Sequence, residues 1–172
     1  MLTEQANRLH DAILDRFHQT ISLFPPSHAP FLLGETDQPW RLGEQLVQLG
    51  YLTPRQLSGA LHLRPRRAGP ALLGRTLVDQ SLVPAPVISA VLLMQFLDRI
   101  EHDPGAMPRF FGERLLIQER LDPDQLATVI HEQLDVHQYG GWVRLGELIV
   151  HHGWLDADEI SSMVHRQAGQ ER

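Results

Sequence analysis

Arg41-Leu42-Gly43-Glu44-Gln45-Leu46-Val47-Gln48-Leu49-Gly50-Tyr51-Leu52 returns near the other end of the chain as Arg144-Leu145-Gly146-Glu147-Leu148-Ile149-Val150-His151-His152-Gly153-Trp154-Leu155. The two stretches align without a gap. They share Arg-Leu-Gly at the start, a glycine before the turn (Gly50, Gly153) and a leucine after it (Leu52, Leu155). Two weaker copies lie between them. One begins Leu72-Leu73-Gly74 and continues through Leu77-Val78, Val83, Ile88, Val91-Leu92 and Gln95. The other begins Phe110-Phe111-Gly112 and continues through Leu115-Leu116, Leu121, Leu126, Val129-Ile130 and Gln133. Every copy keeps the third-position glycine and the apolar positions, so the chain is a tandem repeat.

Each copy reads as two helices. In copy one, Leu42, Leu46 and Leu49 recur at helical spacing. Gly50 is a natural left-handed terminator. Thr53-Pro54-Arg55-Gln56 then restarts the helix: Thr caps, Pro suits the first helical position and Gln completes a capping box. Leu57, Ala60 and Leu61 share the next apolar face. Copy three repeats the start as Asp122-Pro123-Asp124-Gln125 and copy four as Asp156-Ala157-Asp158-Glu159. Copy two has Pro84-Ala85-Pro86-Val87, without a capping side chain, and a differently built turn is expected there.

The expected fold is therefore all-α: helix–turn–helix repeats packed as two pairs, with an N-terminal amphipathic helix. Leu9, Ile13, Phe17 and Ile21 form the stripe of that helix, which ends at Phe24-Pro25-Pro26 and is followed by a loop to Pro39. It serves as a cap or brace on the repeats, or else as an interaction helix. Residues 1–40 form this leading segment, 41–98 the first repeat pair and 99–172 the second. Pro65–Pro70, His102–Pro108 and Tyr139–Gly141 are the linkers, the middle one separating the pairs.

Composition narrows the function. The net charge of −6 gives no basic footprint for DNA. All fifteen cationic side chains are arginine, so Schiff-base lysine chemistry and a standard P-loop are excluded. The absence of cysteine removes disulfides and thiolate zinc sites. No apolar run is long enough to span a membrane, and Met1-Leu2-Thr3-Glu4-Gln5 leads into no signal core. A cytoplasmic location is expected, at the inner face of a membrane where a partner holds the chain there.

The copies resemble the MshEN-type domain, the N-terminal domain family of type II secretion and pilus-extension ATPases. The resemblance covers residues 41–167 and rests on Arg-Leu-Gly, the paired aliphatics, the turn glycine, the leucines of the second helix and its closing Gln. It implies a bacterial origin, cyclic di-GMP as ligand of two tandem motifs, and a protein partner in a secretion, pilus or polysaccharide-export machine. The chain looks like a free-standing module or the regulatory end of something larger. In the first pair the implied ligand-binding residues are Arg41, Leu42, Gly43, Leu46, Leu57 and Leu61 with Leu72, Leu73, Gly74 and Leu77. In the second they are Phe110, Phe111, Gly112 and Leu115 with Arg144, Leu145, Gly146, Ile149 and Ile160. Helix-start N–H groups suit phosphate, arginine suits guanine, and leucines suit purine faces. Leu72 and Phe110 stand where the pattern has arginine, with Arg75 and Arg109 close by. Ser81 and Glu119 stand where it has the turn glycine, and an acid repels a diphosphate.

The remaining signals have plainer readings. Helically spaced leucines are core, and the third-position glycines serve either helix packing or close ligand approach. Arg64 and Arg66-Arg67 read as a solvated linker. His151-His152 and His165 lack metal-ligand spacing. The acids Asp122, Asp124, Asp156, Asp158 and Glu159 sit where helix starts explain them. Trp40, Trp142 and Trp154 read as core edges, with a stacking platform as the alternative for Trp142, two residues before Arg144. No catalytic constellation is present. The alternative to a cyclic di-GMP module is a nucleotide-independent docking adaptor of the same fold, and an unpaired repeat face would allow a homo-oligomer.

Overall fold

The computed structural model describes residues 2–30, 41–63, 71–102, 108, 110–138 and 140–170, without the side chains of 2, 3, 5, 6, 71, 72 and 165–170. Every regular element among them is an α-helix. In order these are α1 (Leu2–Leu23), α2 (Leu42–Gln48), α3 (Pro54–Leu63), α4 (Ala71–Asp79), α5 (Ala85–His102), α6 (Phe111–Ile117), α7 (Pro123–Gln138), α8 (Leu145–His151) and α9 (Ala157–Gln170). None is long and apolar enough to cross a membrane. Each repeat is a short helix followed by a longer one.

The turn inside each repeat is one device used four times. A backbone N–H reaches back across the end of the short helix: Tyr51 to Leu46, Leu82 to Leu77, Arg120 to Leu115 and Trp154 to Ile149, at 2.8–3.2 Å. The preceding N–H closes a shorter loop, as Gly50 does to Val47. This is the Schellman pattern, and it needs a left-handed residue at its centre. Gly50 and Gly153 supply it in the outer copies, while Ser81 (φ 53°) and Glu119 (φ 51°) adopt it in the inner ones. Copy two therefore has the same turn as the others, contrary to the expectation from Pro84. Only its side-chain cap is missing. Thr53–Gln56, Asp122–Gln125 and Asp156–Glu159 form reciprocal capping boxes, whereas α5 begins on backbone bonds to the Pro84 carbonyl.

The motif glycine brings the two helices of a repeat together. A Cβ on Gly43 would collide with Leu57 Cδ1, and one on Gly74 would stand 2.9 Å from Ile88 Cγ2. On Gly112 it would meet Leu126 Cδ1 at 2.8 Å, and on Gly146 Ile160 Cγ2 at 2.9 Å. The apolar partner is fourteen residues downstream in all four copies. Between copies one and two the approach is reciprocal: a Cβ on Gly43 would lie 3.3 Å from Leu73, and one on Gly74 3.7 Å from Leu42.

Two apolar clusters result. One joins α2, α3 and α4 to the first half of α5; the other joins the second half of α5 to α6, α7, α8 and α9. Helix α5 has 18 residues, roughly 27 Å at 1.5 Å per residue. It crosses from one cluster to the other, with Val87, Ile88 and Val91 in the first and Leu93, Phe96 and Leu97 in the second. A division of the chain at 98/99 therefore does not divide the core. Helix α1 lies along α5 and α7, with Ile13 fully buried in the second cluster and Phe17 and Ile21 against the first. It braces both clusters. After α1, the Tyr51 hydroxyl donates to the Phe24 carbonyl and the His28 N–H to that of Gly50.

Three stability outcomes follow from these geometries. Gly112→Ala forces its methyl onto Leu126, which is sealed in the core, and should destabilise by roughly 1–3 kcal/mol, the usual range for overpacking. Gly43→Ala pushes on Leu57, which is only half-buried, and should destabilise less than Gly112→Ala. Glu119→Gly relieves a left-handed non-glycine and should stabilise by roughly 1 kcal/mol. Urea unfolding of the three variants checks both the ranking and the signs.

Candidate functional site

The short helices begin on the residues that the sequence singled out. Arg41, Phe110 and Arg144 hold extended backbone just before α2, α6 and α8. Their backbone N–H groups donate to Glu44, Glu113 and Glu147 at 2.8, 3.3 and 2.9 Å. A carboxylate thus already occupies each of these helix starts. Copy two has Arg75 in place of the acid, and that arginine pairs with Asp79 at 3.5 Å. The guanidinium groups of Arg41 and Arg144 are exposed and have no hydrogen-bond or ion-pair partner among the described residues.

The other implied ligand-binding residues fall into three groups. Leu46, Leu77, Leu115 and Ile149 are completely buried in the two clusters, where a ligand on the surface reaches none of them. Gly43, Gly74, Gly112 and Gly146 lie against their own repeat's second helix, with Leu57 and Ile160 among the apolar partners. Leu42, Phe111 and Leu145 pack at cluster edges, Leu73 is buried, and Phe110 and Leu61 are exposed. The side chain of Leu72 lies outside the described residues, as do Arg109, Trp40, the side chain of His165 and the arginines of the first linker. The motif glycines are accounted for by helix packing alone, one of their two readings from the sequence.

A different constellation appears when the four copies are superposed by position. One face of each repeat is carried by the residues eleven, fourteen, fifteen and eighteen places after the motif glycine. In copy two these are Ala85, Ile88, Ser89 and Leu92, and in copy three Pro123, Leu126, Ala127 and Ile130. These sets lie on α5 and α7, and all their members are buried except Leu92 and Ile130, which are half-buried. In copy one the equivalents are Pro54, Leu57, Ser58 and Leu61, and in copy four Ala157, Ile160, Ser161 and Val164. There the face is open: Leu61 is 44% and Val164 47% exposed. In copy one it forms a shallow apolar groove of about 250 Å³, lined by Glu44, Val47, Pro54, Leu57, Ser58, Leu61 and His62. That is below the roughly 300–1,000 Å³ of typical small-molecule pockets.

Titratable groups add one feature. Gln45 of α2 donates through Nε2 to Asp98 Oδ2 of α5 at 3.2 Å, while its own Oε1 is buried without a partner among the described residues. Burial raises the Asp98 carboxyl above its ordinary value, and Glu101 raises it further; His102 and the Gln45 bond oppose this. Among the histidines, His152 bonds Glu132 at 2.8 Å and stacks on Trp154 at 4.3 Å. Trp142 is largely exposed, tilted against the buried His137. The described residues contain no cluster of three metal-ligating groups. Comparison of the chain with protein-family models, with curated proteins and with solved structures finds no match.

The Asp98 arrangement sets a pH dependence. A carboxyl raised on folding binds its proton more tightly in the folded chain, so stability falls as pH rises from the ordinary carboxylate value through the raised one. Asp98→Asn removes this contribution and supplies an N–H for the orphaned Gln45 Oε1. It should stabilise the chain at neutral pH, by about 1 kcal/mol for one satisfied buried acceptor, and leave stability flatter between pH 4 and 7. Thermal unfolding across that range checks it; a destabilised variant at pH 7 contradicts it.

Proposed function

We propose that this chain is a non-catalytic docking module that joins a partner protein through the open faces of its two outer repeats. One observation carries the reading: the positions that are buried or half-buried in copies two and three are more open in copies one and four, where Leu61 and Val164 present exposed aliphatic side chains. Outer repeats of a self-contained array have polar outer faces, and these do not. The resemblance to the MshEN-type domain supplies the setting, a bacterial secretion, pilus or polysaccharide-export machine.

A photo-cross-linking amino acid at position 61 or 164, introduced in the native host, tests this. Adducts at both positions, with none at the exposed control Asp15 on α1, are expected. An adduct pattern no richer at 61 and 164 than at 15 contradicts the docking reading.

A second reading, regulation by cyclic di-GMP, is favoured by Arg41 and Arg144 at corresponding helix starts, exposed and without a side-chain partner among the described residues. Calorimetric titration with cyclic di-GMP, with GTP as the control, decides it. Saturable binding that is lost in Arg41→Ala/Arg144→Ala supports a second-messenger receptor. Heats equal to those of GTP leave docking without nucleotide.

A further inference from the structure

We propose that the partner on these faces is a second copy of this chain, with copy one of one molecule seated on copy four of the next. The inference rests on the docking reading and names its occupant. The precedent lies inside the molecule. Helix α5 carries the repeat face in copy two and α7 carries it in copy three, and α5 and α7 pack along each other with α1 across both. Within this chain, then, the face is covered wherever a long helix carries it into the interior. Copies one and four offer the same positions with similar side chains: Leu57 and Ile160 at the fourteenth place, Ser58 and Ser161 at the fifteenth, Leu61 and Val164 at the eighteenth.

Charge selects the pairing. The exposed cationic and titratable groups of α3 are Arg55 and His62, and Pro54–Leu63 contains no acid. The first turn of α9 carries Asp158 and Glu159, the latter paired with Arg120, while Glu147 on α8 and Glu44 on α2 occupy the same repeat position and do not distinguish the two faces. Arg55 and Asp158 occupy the same repeat position and have no ion-pair partner among the described residues. Copy one against copy one would bring Arg55 and His62 of both chains to one interface, and copy four against copy four would gather the acids. Copy one on copy four sets opposite charges around an apolar centre, the arrangement that steers association and fixes register. The contact is heterologous, so it propagates into a ring or an open filament rather than stopping at a two-fold dimer.

Sedimentation of the purified full chain tests this. The wild type should gain mass with concentration and pass beyond the dimer. Leu61→Asp and Val164→Asp each remove one face and should each remain monomeric, with association weakened more than tenfold, the loss of about 1.4 kcal/mol or more. Both positions are exposed, so unchanged circular dichroism and unfolding midpoints show that the variants remain folded. Mixed in equal amounts, the two variants should form a dimer and stop there, because each supplies the face the other lacks. Arg55→Glu should weaken association, and Arg55→Glu/Asp158→Arg should restore it. A wild type that stays monomeric overturns the inference. So does a Val164→Asp variant that associates as the wild type does, which would mark copy one on copy one. Cross-links in the host to a different protein, with the purified chain monomeric, overturn self-assembly and leave the docking reading standing. No cross-links and no association overturn both.

Discussion

The close approach of the motif glycine to an apolar side chain fourteen residues later is the contact on which the rest of the structure depends. It fixes the distance between the two helices of each repeat and recurs in all four copies. With no Cβ at that point, Leu57, Ile88, Leu126 or Ile160 sits directly on the backbone of the short helix. The buried aliphatic three residues beyond the glycine, such as Leu46 or Ile149, then points into a cluster. The Schellman turn supplies the chain reversal that makes this contact possible. The two devices are coupled: seven residues separate the glycine from the left-handed position of the turn in every copy.

That economy has a functional consequence. The Cβ side of each motif glycine is covered by its own repeat's second helix, so packing accounts for the glycine without a ligand. The helix starts of copies one, three and four have an acidic side chain bonded at the N-terminal N–H. Among the described residues, these repeats leave without a partner the arginine side chains ahead of α2 and α8, and they leave open the apolar side chains Leu61 and Val164 of the outer copies. The first suits an anionic or guanine-bearing ligand, the second another helix surface. The faces are the more specific of the two, because the same positions are already packed by helices elsewhere in the molecule.

The long helices turn a repeat array into a single packed body. Copies one and two, taken alone, would be a small cluster, as would copies three and four. Helix α5 enters both, and α1 and Ile130 of α7 touch both. The ion pair between the largely buried Arg99 of α5 and Glu113 of α6 lies at this junction. Copies two and three are thereby committed to the interior, and only copies one and four present a repeat face to solvent.

The local architecture was legible in the sequence because its causes are local. The helix pairs, the turns and the capping boxes at Thr53, Asp122 and Asp156 depend on residues only a few positions apart. The glycines were recognisable as special, although the periodic pattern could not separate packing from ligand approach. Even Ser81 and Glu119 could be placed by register, while their left-handed backbone is imposed by the turn against their own preference. The division of burial among the copies could not be read in this way. Leu61, Leu92, Ile130 and Val164 occupy one repeat position and all are aliphatic. Which of them is covered depends on how α1, α5 and α7 pack across long stretches of chain. Sequence by itself determined what each repeat is; tertiary structure alone decided which repeats face inward, because burial is set by contacts between distant segments and not by the pattern within any one of them.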